Sequence, residues 1–192
     1  MPVTTGSTGG RHAGDPRCGI APRAAKGYLA AMTEGRRYPK DIPPMWLAAA
    51  MLAIWAGYAW LPASRWLQPP WTHAGWVPMG FGTSLGLLSI VRFRRVGTGV
   101  VPFTPANVLV EHGAYRWTRN PMYVALVAVA VGFAIKVPSA PGLAVPPLLW
   151  LVLDRRFVRR EEPFLRERFG PAFDAYCARV PRWLGRSPRP ST

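Results

Sequence analysis

The sequence contains few acidic residues and few cysteines, and both shortages exclude classes of protein. Only 9 of its 192 residues are Asp or Glu, against 24 Lys and Arg, so the formal net charge is +15. A disordered basic protein is excluded because 49% of the residues are hydrophobic. The two cysteines, Cys18 and Cys177, lie near opposite ends of the chain, so we expect no secreted scaffold held together by disulfides.

The motifs of several common site types are also missing. His12, His73 and His112 lie far apart and no Cys/His cluster has the spacing of metal ligands, so no metal is expected. There is no Walker motif and no nucleophile elbow. There is also no RNA- or DNA-binding signature, so no nucleic acid partner is expected. The glycines between Gly80 and Gly86 lie inside an apolar run without a preceding strand, which favours close helix packing over dinucleotide binding.

Four long segments of the chain carry no charged residue. They are 42–64, 66–91, 120–135 and 137–153. A membrane-spanning helix needs about 20 mostly apolar residues, and the first two segments contain such lengths near 45–61 and 74–91. The last two are shorter and are separated by Lys136 and nearby prolines, which predicts a helical hairpin that crosses a membrane and returns.

These segments predict an all-α integral membrane protein with about four transmembrane helices, the last two forming the hairpin. A soluble bundle of four buried helices is the alternative. It is disfavoured because buried helices of soluble proteins normally keep a polar face, whereas these segments show little helical periodicity.

The basic residues are distributed unevenly around the apolar segments. An even number of crossings puts 22 of the 24 Lys and Arg on one side and leaves Arg65 and Lys136 on the other. The positive-inside rule then places both termini and the middle loop in the cytoplasm. We expect the chain to lie in a lipid bilayer, as in a bacterial inner membrane, with anionic lipid as the counter-charge of its basic segments.

The chain is expected to divide into three parts. Residues 1–41 are rich in Gly, Pro and Arg and predict a disordered cytoplasmic tail. Residues 42–185 form the predicted membrane domain, and 186–192 are expected to be a loose C-terminus.

The C-terminal part of the membrane domain has the pattern of a basic amphipathic helical segment at the cytoplasmic surface. Its apolar residues recur at spacings of three and four from Leu165 onward. Glu162 and Pro163 are expected to open a short helix, Gly170 to end it, and Pro171 to begin another.

Two cytoplasmic stretches flank the predicted hairpin. Before it, Asn120 and Pro121 are typical of a helix start, and Trp117 is typical of a membrane interface, so this stretch alone needs no functional explanation. After it, Glu161 and Glu162 are adjacent at the edge of a leaflet expected to be anionic. A basic amphipathic surface helix does not explain this acidic pair.

The hairpin brings the two stretches together. If it crosses the membrane and returns, 119–123 and 159–162 reach the same cytoplasmic interface within side-chain range. Arginines and carboxylates would then converge on a pocket with an apolar floor. Such a pocket suits a polar, zwitterionic cofactor from the cytosol and a lipophilic acceptor from the bilayer.

A set of residues between about 75 and 183 follows a family pattern in order and spacing. These residues are Leu109-Val110, Gly113, Tyr115, Arg119-Asn120-Pro121-Met122-Tyr123, Glu162 to Leu165, Phe169-Gly170, Phe173, Tyr176 and Val180-Pro181-Arg182-Trp183. The set resembles the integral-membrane methyltransferases that include isoprenylcysteine carboxyl methyltransferase and the phospholipid methyltransferases. Two positions depart from the pattern. Asn120 replaces the commoner His, which excludes an imidazole proton shuttle there, and Phe173 replaces a Tyr.

The resemblance implies S-adenosylmethionine as the cofactor. The residues implied on its adenosine side are Asn107, Val108, Leu109, Val110 and Tyr115, and those implied at the start of the hairpin are Asn120, Pro121, Met122 and Tyr123. Glu162 would hold the cationic α-amino group by a charge-assisted hydrogen bond. Arg119 would bind an anion, either the methionine carboxylate or the acceptor, and Arg159 is expected to contact the acceptor. Arg119 and Glu162 are therefore the expected catalytic residues.

The resemblance also implies methyl transfer to a lipophilic acceptor at the cytoplasmic membrane interface, by direct in-line attack on the sulfonium methyl group. A prenylated cysteine, a phospholipid amine and a small lipophilic metabolite all remain open as acceptors, and the oligomeric state is not indicated. Two other functions are alternatives. One is an NADPH-dependent membrane reductase of the sterol reductase type, which shares a similar hairpin. The other is a non-catalytic membrane protein that binds anionic lipid.

Overall fold

The computed structural model describes residues 41–61, 65–95 and 109–185, and this part of the chain is helical without a β-strand. Its α-helices are α1 (Pro43–Trp60), α2 (Trp76–Arg95), α3 (Pro121–Lys136), α4 (Val145–Leu153), α5 (Arg159–Phe169) and α6 (Pro171–Arg179). Short 3₁₀ turns lie at Trp71–Gly75, Gly113–Arg116 and Pro141–Ala144, and a π-helical turn lies at Asp154–Val158. The expected all-α class is confirmed for these residues. The predicted tail up to residue 40 and the predicted loose end at 186–192 lie outside them.

Prolines and one glycine set several helix boundaries. Pro43, Pro121 and Pro171 each stand in the first turn of a helix, where the missing N–H would have had no intrahelical partner. Gly170 ends α5 with a φ of +51°, a conformation that glycine adopts without strain. The predicted helix end at Gly170 and helix start at Pro171 are therefore confirmed.

One helical stretch in the described ranges is long and apolar enough to cross a membrane. It covers Trp71–Arg92, with a mean hydropathy of 1.4, and only 17% of its most apolar window is buried inside the protein. The helix Pro121–Lys136 is also apolar, but it is shorter. The expectation of about four transmembrane helices therefore stays a prediction.

Helices α2 and α3 approach closely because glycines leave room for their backbones. A Cβ on Gly132 of α3 would lie 2.5 Å from the carbonyl oxygen of Gly75. A Cβ on Gly82 of α2 would lie 2.6 Å from the carbonyl oxygen of Ala125, whereas one on Gly80 would face open space. The predicted role of the 80–86 glycines in helix packing is thus confirmed at Gly82 and does not extend to Gly80.

The last two apolar segments form the predicted hairpin. Helix α3 runs to Lys136, the chain turns, and a return arm follows from Pro141 to Phe169 through α4, the π turn and α5. Apolar side chains of the return arm pack against α3 and α1 in one buried cluster. Its fully or nearly buried members are Ala50, Tyr123, Ala130, Leu149, Leu153, Phe157 and Val158.

The return arm differs from the prediction at Pro163. We expected Glu162 and Pro163 to open a new helix, but α5 begins at Arg159 and Pro163 lies inside it. The π turn continues the helix from α4, and its buried residues Phe157 and Val158 hold it against the core. Tertiary packing therefore outweighs the local preference of proline for a helix start.

Helix α6 folds back over the segment that precedes the hairpin. Phe173, Tyr176 and Val180 are buried together, and Leu109 and Leu165 pack against them. At these three positions the apolar stripe that predicted an amphipathic segment is covered by the protein itself. The stripe therefore fixes the C-terminal segment beside the start of α3.

Candidate functional site

Arg119 and Glu162, at the two ends of the hairpin, meet in the structure. Arg119 precedes α3 and Glu162 lies in the first turn of α5, and their Nη1 and Oε1 atoms are 3.0 Å apart. Their side chains are only 12% and 14% exposed. The hairpin therefore brings the two expected catalytic residues together, as its predicted topology requires. Their catalytic roles stay predictions.

A second arginine, Arg182, binds the same carboxylate. Its Nε donates to Glu162 Oε1 at 2.8 Å, and its Nη2 donates to Oε2. This two-pronged contact is the strong form of an arginine–carboxylate pair, and it raises the pKa of Arg182. Both oxygens of Glu162 thus lie against guanidinium groups. Sequence reasoning gave Arg182 no role, although the Val180-Pro-Arg-Trp183 end of the family pattern was a signal.

Arg119 is held by several contacts and keeps one donor without a partner. Its Nη1 lies 2.7 Å from Cys177 Sγ, and its backbone N–H donates to Pro181 O at 2.9 Å. Its Nε is the one buried side-chain nitrogen or oxygen in the described part of the chain that has no hydrogen-bond partner. Leaving a buried donor without an acceptor is unfavourable, so an acceptor oxygen brought within reach of this N–H would stabilise it.

The side chain of Asn120, next to Arg119, makes a different contact from the one that the sequence suggested. Asn120 stands at the N-cap of α3, but its side chain does not cap the helix. It donates instead to Arg182 O at 3.0 Å, and Thr118 Oγ1 donates to the same oxygen at 3.0 Å. The predicted helix start is therefore confirmed, since α3 begins at Pro121 with Asn120 at its N-cap, and only the side chain of Asn120 is drawn away to the C-terminal segment.

Tyr123 and Glu161 form a further contact across the hairpin. The Tyr123 hydroxyl donates to Glu161 Oε2 at 3.1 Å, and the tyrosine is buried. Pro121 is buried and Met122 is half-buried beside it. The adjacent residues Glu161 and Glu162 thus have different partners: Glu161 binds a phenol and Glu162 binds two guanidinium groups.

The residues implied on the adenosine side are described only in part. Val110 and Tyr115 are buried, and Leu109 packs against the α6 cluster. Tyr176 donates its hydroxyl to Tyr115 O at 2.8 Å. Burial raises the pKa of both phenols, so both stay protonated at neutral pH. Asn107 and Val108 lie outside the described residues.

Arg159 was expected to contact the acceptor in the pocket, and in the structure it binds Asp154. Its side chain is 60% exposed and its Nε donates to Asp154 Oδ2 at 2.6 Å, so it does not join the Arg119–Glu162 pair. Asp154 also accepts a hydrogen bond from Trp183 Nε1 at 2.9 Å. The expected contact between Arg159 and the acceptor stays a prediction.

The set of groups at this site fits the amino-acid end of S-adenosylmethionine. Two guanidinium groups, one with an unpartnered buried N–H, suit a carboxylate, and the two adjacent carboxylates suit an ammonium group. Within the described ranges, no group of three or more His, Cys, Asp or Glu side chains could hold a metal ion. The expected absence of a metal stays a prediction for the whole chain.

Comparisons with known proteins agree with the resemblance read from the motifs. A family model for phospholipid methyltransferases matches residues 71–172, more than half of the chain. Two proteins of Oryza sativa, one from subsp. indica and one from subsp. japonica, are each named probable protein-S-isoprenylcysteine O-methyltransferase and are 29% identical over 112 residues. The match covers 57% of this chain and 58% of each relative, so the chain spans about three-fifths of their length. No solved structure matches the chain. The chain belongs to the phospholipid methyltransferase family.

Proposed function

We propose that this protein transfers a methyl group from S-adenosylmethionine to a lipophilic acceptor at the cytoplasmic face of a membrane. The observation that carries the proposal is the Arg119–Glu162 pair, closed across the hairpin in a chain of the phospholipid methyltransferase family. The pair lies where the apolar hairpin ends and the charged segments begin. A polar cofactor and a lipophilic acceptor both have access to such a boundary.

The residues of the pair have separate binding roles in this proposal. Glu162 accepts the hydrogen bonds of the cofactor's ammonium group, and Arg119 binds an anion through its free Nε–H. That anion is the methionine carboxylate or an anionic acceptor. The cofactor, when bound, supplies a methyl group that its sulfonium centre already activates for attack.

The remaining residues orient the cofactor and keep water out. Tyr115, Val110 and Leu109 offer an apolar wall for the adenosine part, together with Asn107 and Val108 outside the described residues. The residues from Asn120 to Tyr123, at the start of α3, contact the cofactor in this proposal. Orientation and a dry site are the main contributions that a transfer between two bound molecules requires of a protein.

Separate observations support the membrane location and the acceptor. Apolar side chains of α2 such as Trp76, Val77, Phe81 and Leu88 are more than half exposed, which suits lipid better than water. We propose an acceptor of the isoprenylcysteine type, since two relatives carry that substrate in their names. A carboxylate acceptor needs no strong base, and Arg119 and Arg159 are the cations that would attract it.

Cofactor binding tests the proposal most directly. Calorimetry on the full chain in detergent should detect binding of S-adenosylmethionine and none of NADPH. Binding of NADPH alone would support the reductase alternative, and binding of neither would support a lipid-binding protein. Incubation of membranes that contain the protein with methyl-labelled S-adenosylmethionine, followed by mass spectrometry, should then identify the labelled acceptor.

Membrane topology is tested separately. Reporter tags inserted before Arg119 and after Glu162 should both report the cytoplasm. Opposite compartments for the two tags would contradict a shared site at one membrane face.

A further inference from the structure

A buried carboxylate, Asp154, lies outside the site just described and has no role in the proposed transfer. It is 3% exposed and begins the π-helical turn between α4 and α5. Burying a charged group is unfavourable unless partners replace its water, so its partners decide why it is there. One partner comes from the return arm of the hairpin and two come from the C-terminal segment.

The π turn sets the first partner of Asp154. In a π-helical turn the hydrogen-bond spacing is five residues instead of four, so a residue lies over the one five positions earlier. Arg159 follows Asp154 by five residues and donates its Nε to Asp154 Oδ2 at 2.6 Å. π turns of this kind inside α-helices occur frequently at functional sites.

The other two partners are neighbours in the C-terminal segment. Trp183 donates its indole N–H to Asp154 Oδ1 at 2.9 Å, and Arg182 Nη1 lies 3.9 Å from the same oxygen. The Trp183 ring also packs against Trp150, with ring centroids 5.8 Å apart. Asp154 therefore holds Arg182 in place both by charge and through the residue that follows it.

Burial raises the pKa of the Asp154 carboxyl, but the hydrogen bonds from Trp183 and Arg159 and the nearby positive charges outweigh this effect. The net result is a pKa below the ordinary value, so Asp154 is ionised at neutral pH. Its negative charge therefore attracts the guanidinium group of Arg182.

The contacts form one chain of alternating charge. Asp154 Oδ1 lies 3.9 Å from Arg182 Nη1, and Arg182 donates hydrogen bonds to both oxygens of Glu162. Glu162 in turn forms an ion pair with Arg119. A two-pronged arginine contact fixes the orientation of both partners. Any shift of Arg182 therefore changes the orientation of Glu162, whereas Asp154 itself does not touch Glu162 or Arg119 in any described contact.

We propose that Asp154 is a positioning residue for the cofactor site, which holds Arg182 so that Glu162 keeps one orientation toward the cofactor's ammonium group. The inference rests on the proposed function. It assigns Asp154 to binding rather than to the transfer step, since supporting residues act by fixing the groups that touch the ligand.

The test measures S-adenosylmethionine affinity of the full chain in detergent by calorimetry. Asp154→Asn keeps the size of the side chain and its acceptor oxygen for Trp183 but removes the charge. We expect Kd to rise about tenfold, within the range by which contacting members of a charge network couple. The same variant should raise KM for the cofactor and leave kcat nearly unchanged. Asp174→Asn is the matched control, because Asp174 forms an exposed ion pair with Arg166. The Kd of this control variant for S-adenosylmethionine should equal that of the wild type.

A double variant separates positioning from general loss of structure. If Asp154 acts through Arg182, Asp154→Asn should have almost no further effect on Kd in an Arg182→Gln background. A full tenfold effect in that background, or an unchanged Kd in the single variant, would overturn the inference. If Asp154→Asn does not fold, Arg182→Lys replaces it, because lysine keeps the charge but cannot grip both oxygens. Wild-type affinity in Arg182→Lys would equally overturn it.

Cofactor binding by the wild-type protein distinguishes a failure of the proposed function from a failure of the role given to Asp154. If it binds no S-adenosylmethionine, the proposed function fails and this inference fails with it. If it binds the cofactor and Asp154→Asn binds equally well, only the role of Asp154 is lost.

Discussion

The two ends of the helical hairpin are built from different interactions. At one end, here called the site end, Asp154, Arg182, Glu162 and Arg119 alternate in charge with little exposure of the carboxylates. At the other end, here called the turn end, the backbones of α3 and the preceding 3₁₀ turn approach through Gly132 and Gly75. The buried polar residues there, Thr72 and Ser139, are uncharged. Partly buried, paired charge therefore marks the end that carries the proposed site, whereas the described contacts at the turn end are those of close helix packing.

The turn end does hold single cations, but they lie beside aromatic rings and not in a network. Lys136 Nζ is 5.3 Å from the centre of the Trp76 ring and 3.3 Å from His73 Nδ1, and Arg65 stacks 4.1 Å from the Tyr58 ring. Aromatic and basic residues in this arrangement are typical of a membrane interface. The presence of charge alone therefore does not distinguish the two ends.

The sharpest test of the comparison is Glu162→Gln at the site end. The variant removes the negative charge that the proposal assigns to the cofactor's ammonium group, so we expect affinity for S-adenosylmethionine to fall about 100-fold by calorimetry. Glu167→Gln, an exposed position on the same helix, should bind as the wild type does. Circular dichroism and size-exclusion chromatography confirm that the variant is folded. Equal affinity in the two variants would remove Glu162 from the site.

At the turn end, Gly132→Ala should reduce stability without acting on the site. The added Cβ would meet the Gly75 carbonyl oxygen and the Met79 side chain, each at 2.5 Å, so α2 and α3 must separate. We expect a loss of about 1–3 kcal/mol in the free energy of unfolding, measured in detergent, with unchanged cofactor affinity of the folded protein. Gly80→Ala is the control, since its Cβ faces open space. Equal stability of the two variants would contradict close backbone packing.

Asp41→Asn tests a smaller effect near the site end. Asp41 precedes α1 and accepts two hydrogen bonds from Arg156 in the π turn, at 2.7 and 2.8 Å. The hydrogen bond from Arg156 holds the pKa of the Asp41 carboxyl well below its ordinary value. The variant should therefore have a lower Tm than the wild type at pH 7, and Asp174→Asn, at an exposed pair, should change Tm less.

The pH dependence of this Tm difference has a definite sign. Because the folded-state pKa is lowered, the contact stabilises the fold above the ordinary pKa of aspartate and loses this contribution as the pH falls toward the folded value. The gap between Asp41→Asn and the wild type should thus be full at neutral pH and narrow below about pH 4. A gap that widens in acid would contradict the pairing with Arg156.

The smallest effect is expected from Lys136→Met at the turn end. The variant removes a cation that contacts Trp76 and His73 and no residue of the site. Cofactor affinity and kcat should stay within about twofold of the wild type, as for most surface substitutions away from a site. A tenfold loss of either would show that the turn end takes part in function and would remove the contrast between the two ends.

The sequence predicted the part of the site that depends on the path of the hairpin. Charge-free segments on both sides of Lys136 indicated two helical arms that return to one interface, and Arg119 and Glu162 meet there at 3.0 Å. The sequence did not predict the roles of Arg182 and Asp154. Arginine is common in this chain, and the family pattern that includes Arg182 does not tell which carboxylate it binds, just as nothing local assigns Arg159 to Asp154.

Local preferences did not predict the contacts of two residues where distant contacts were stronger, although the start of α3 was predicted correctly. Asn120 has the sequence signal of a capping residue, yet its side chain donates to the backbone of Arg182. Pro163 has the signal of a helix start, yet it lies inside α5 because the π turn before it is anchored in the core. The error at Pro163 and the side-chain contact of Asn120 both arose at the site end, where residues far apart in sequence compete with local hydrogen bonds.

By itself the sequence determined the helical class, the order of the apolar segments and the two chain stretches, before and after the hairpin, that meet at the site end. These features follow from the length of each charge-free segment and from the positions of prolines and glycines, which act along the chain over a few residues. Only the tertiary structure decided which arginine binds which carboxylate. Ion pairs and hydrogen bonds form over about 3 Å. Glu162 and Arg182, 20 positions apart, and Asp41 and Arg156, 115 positions apart, reach that distance only after the helices have packed together.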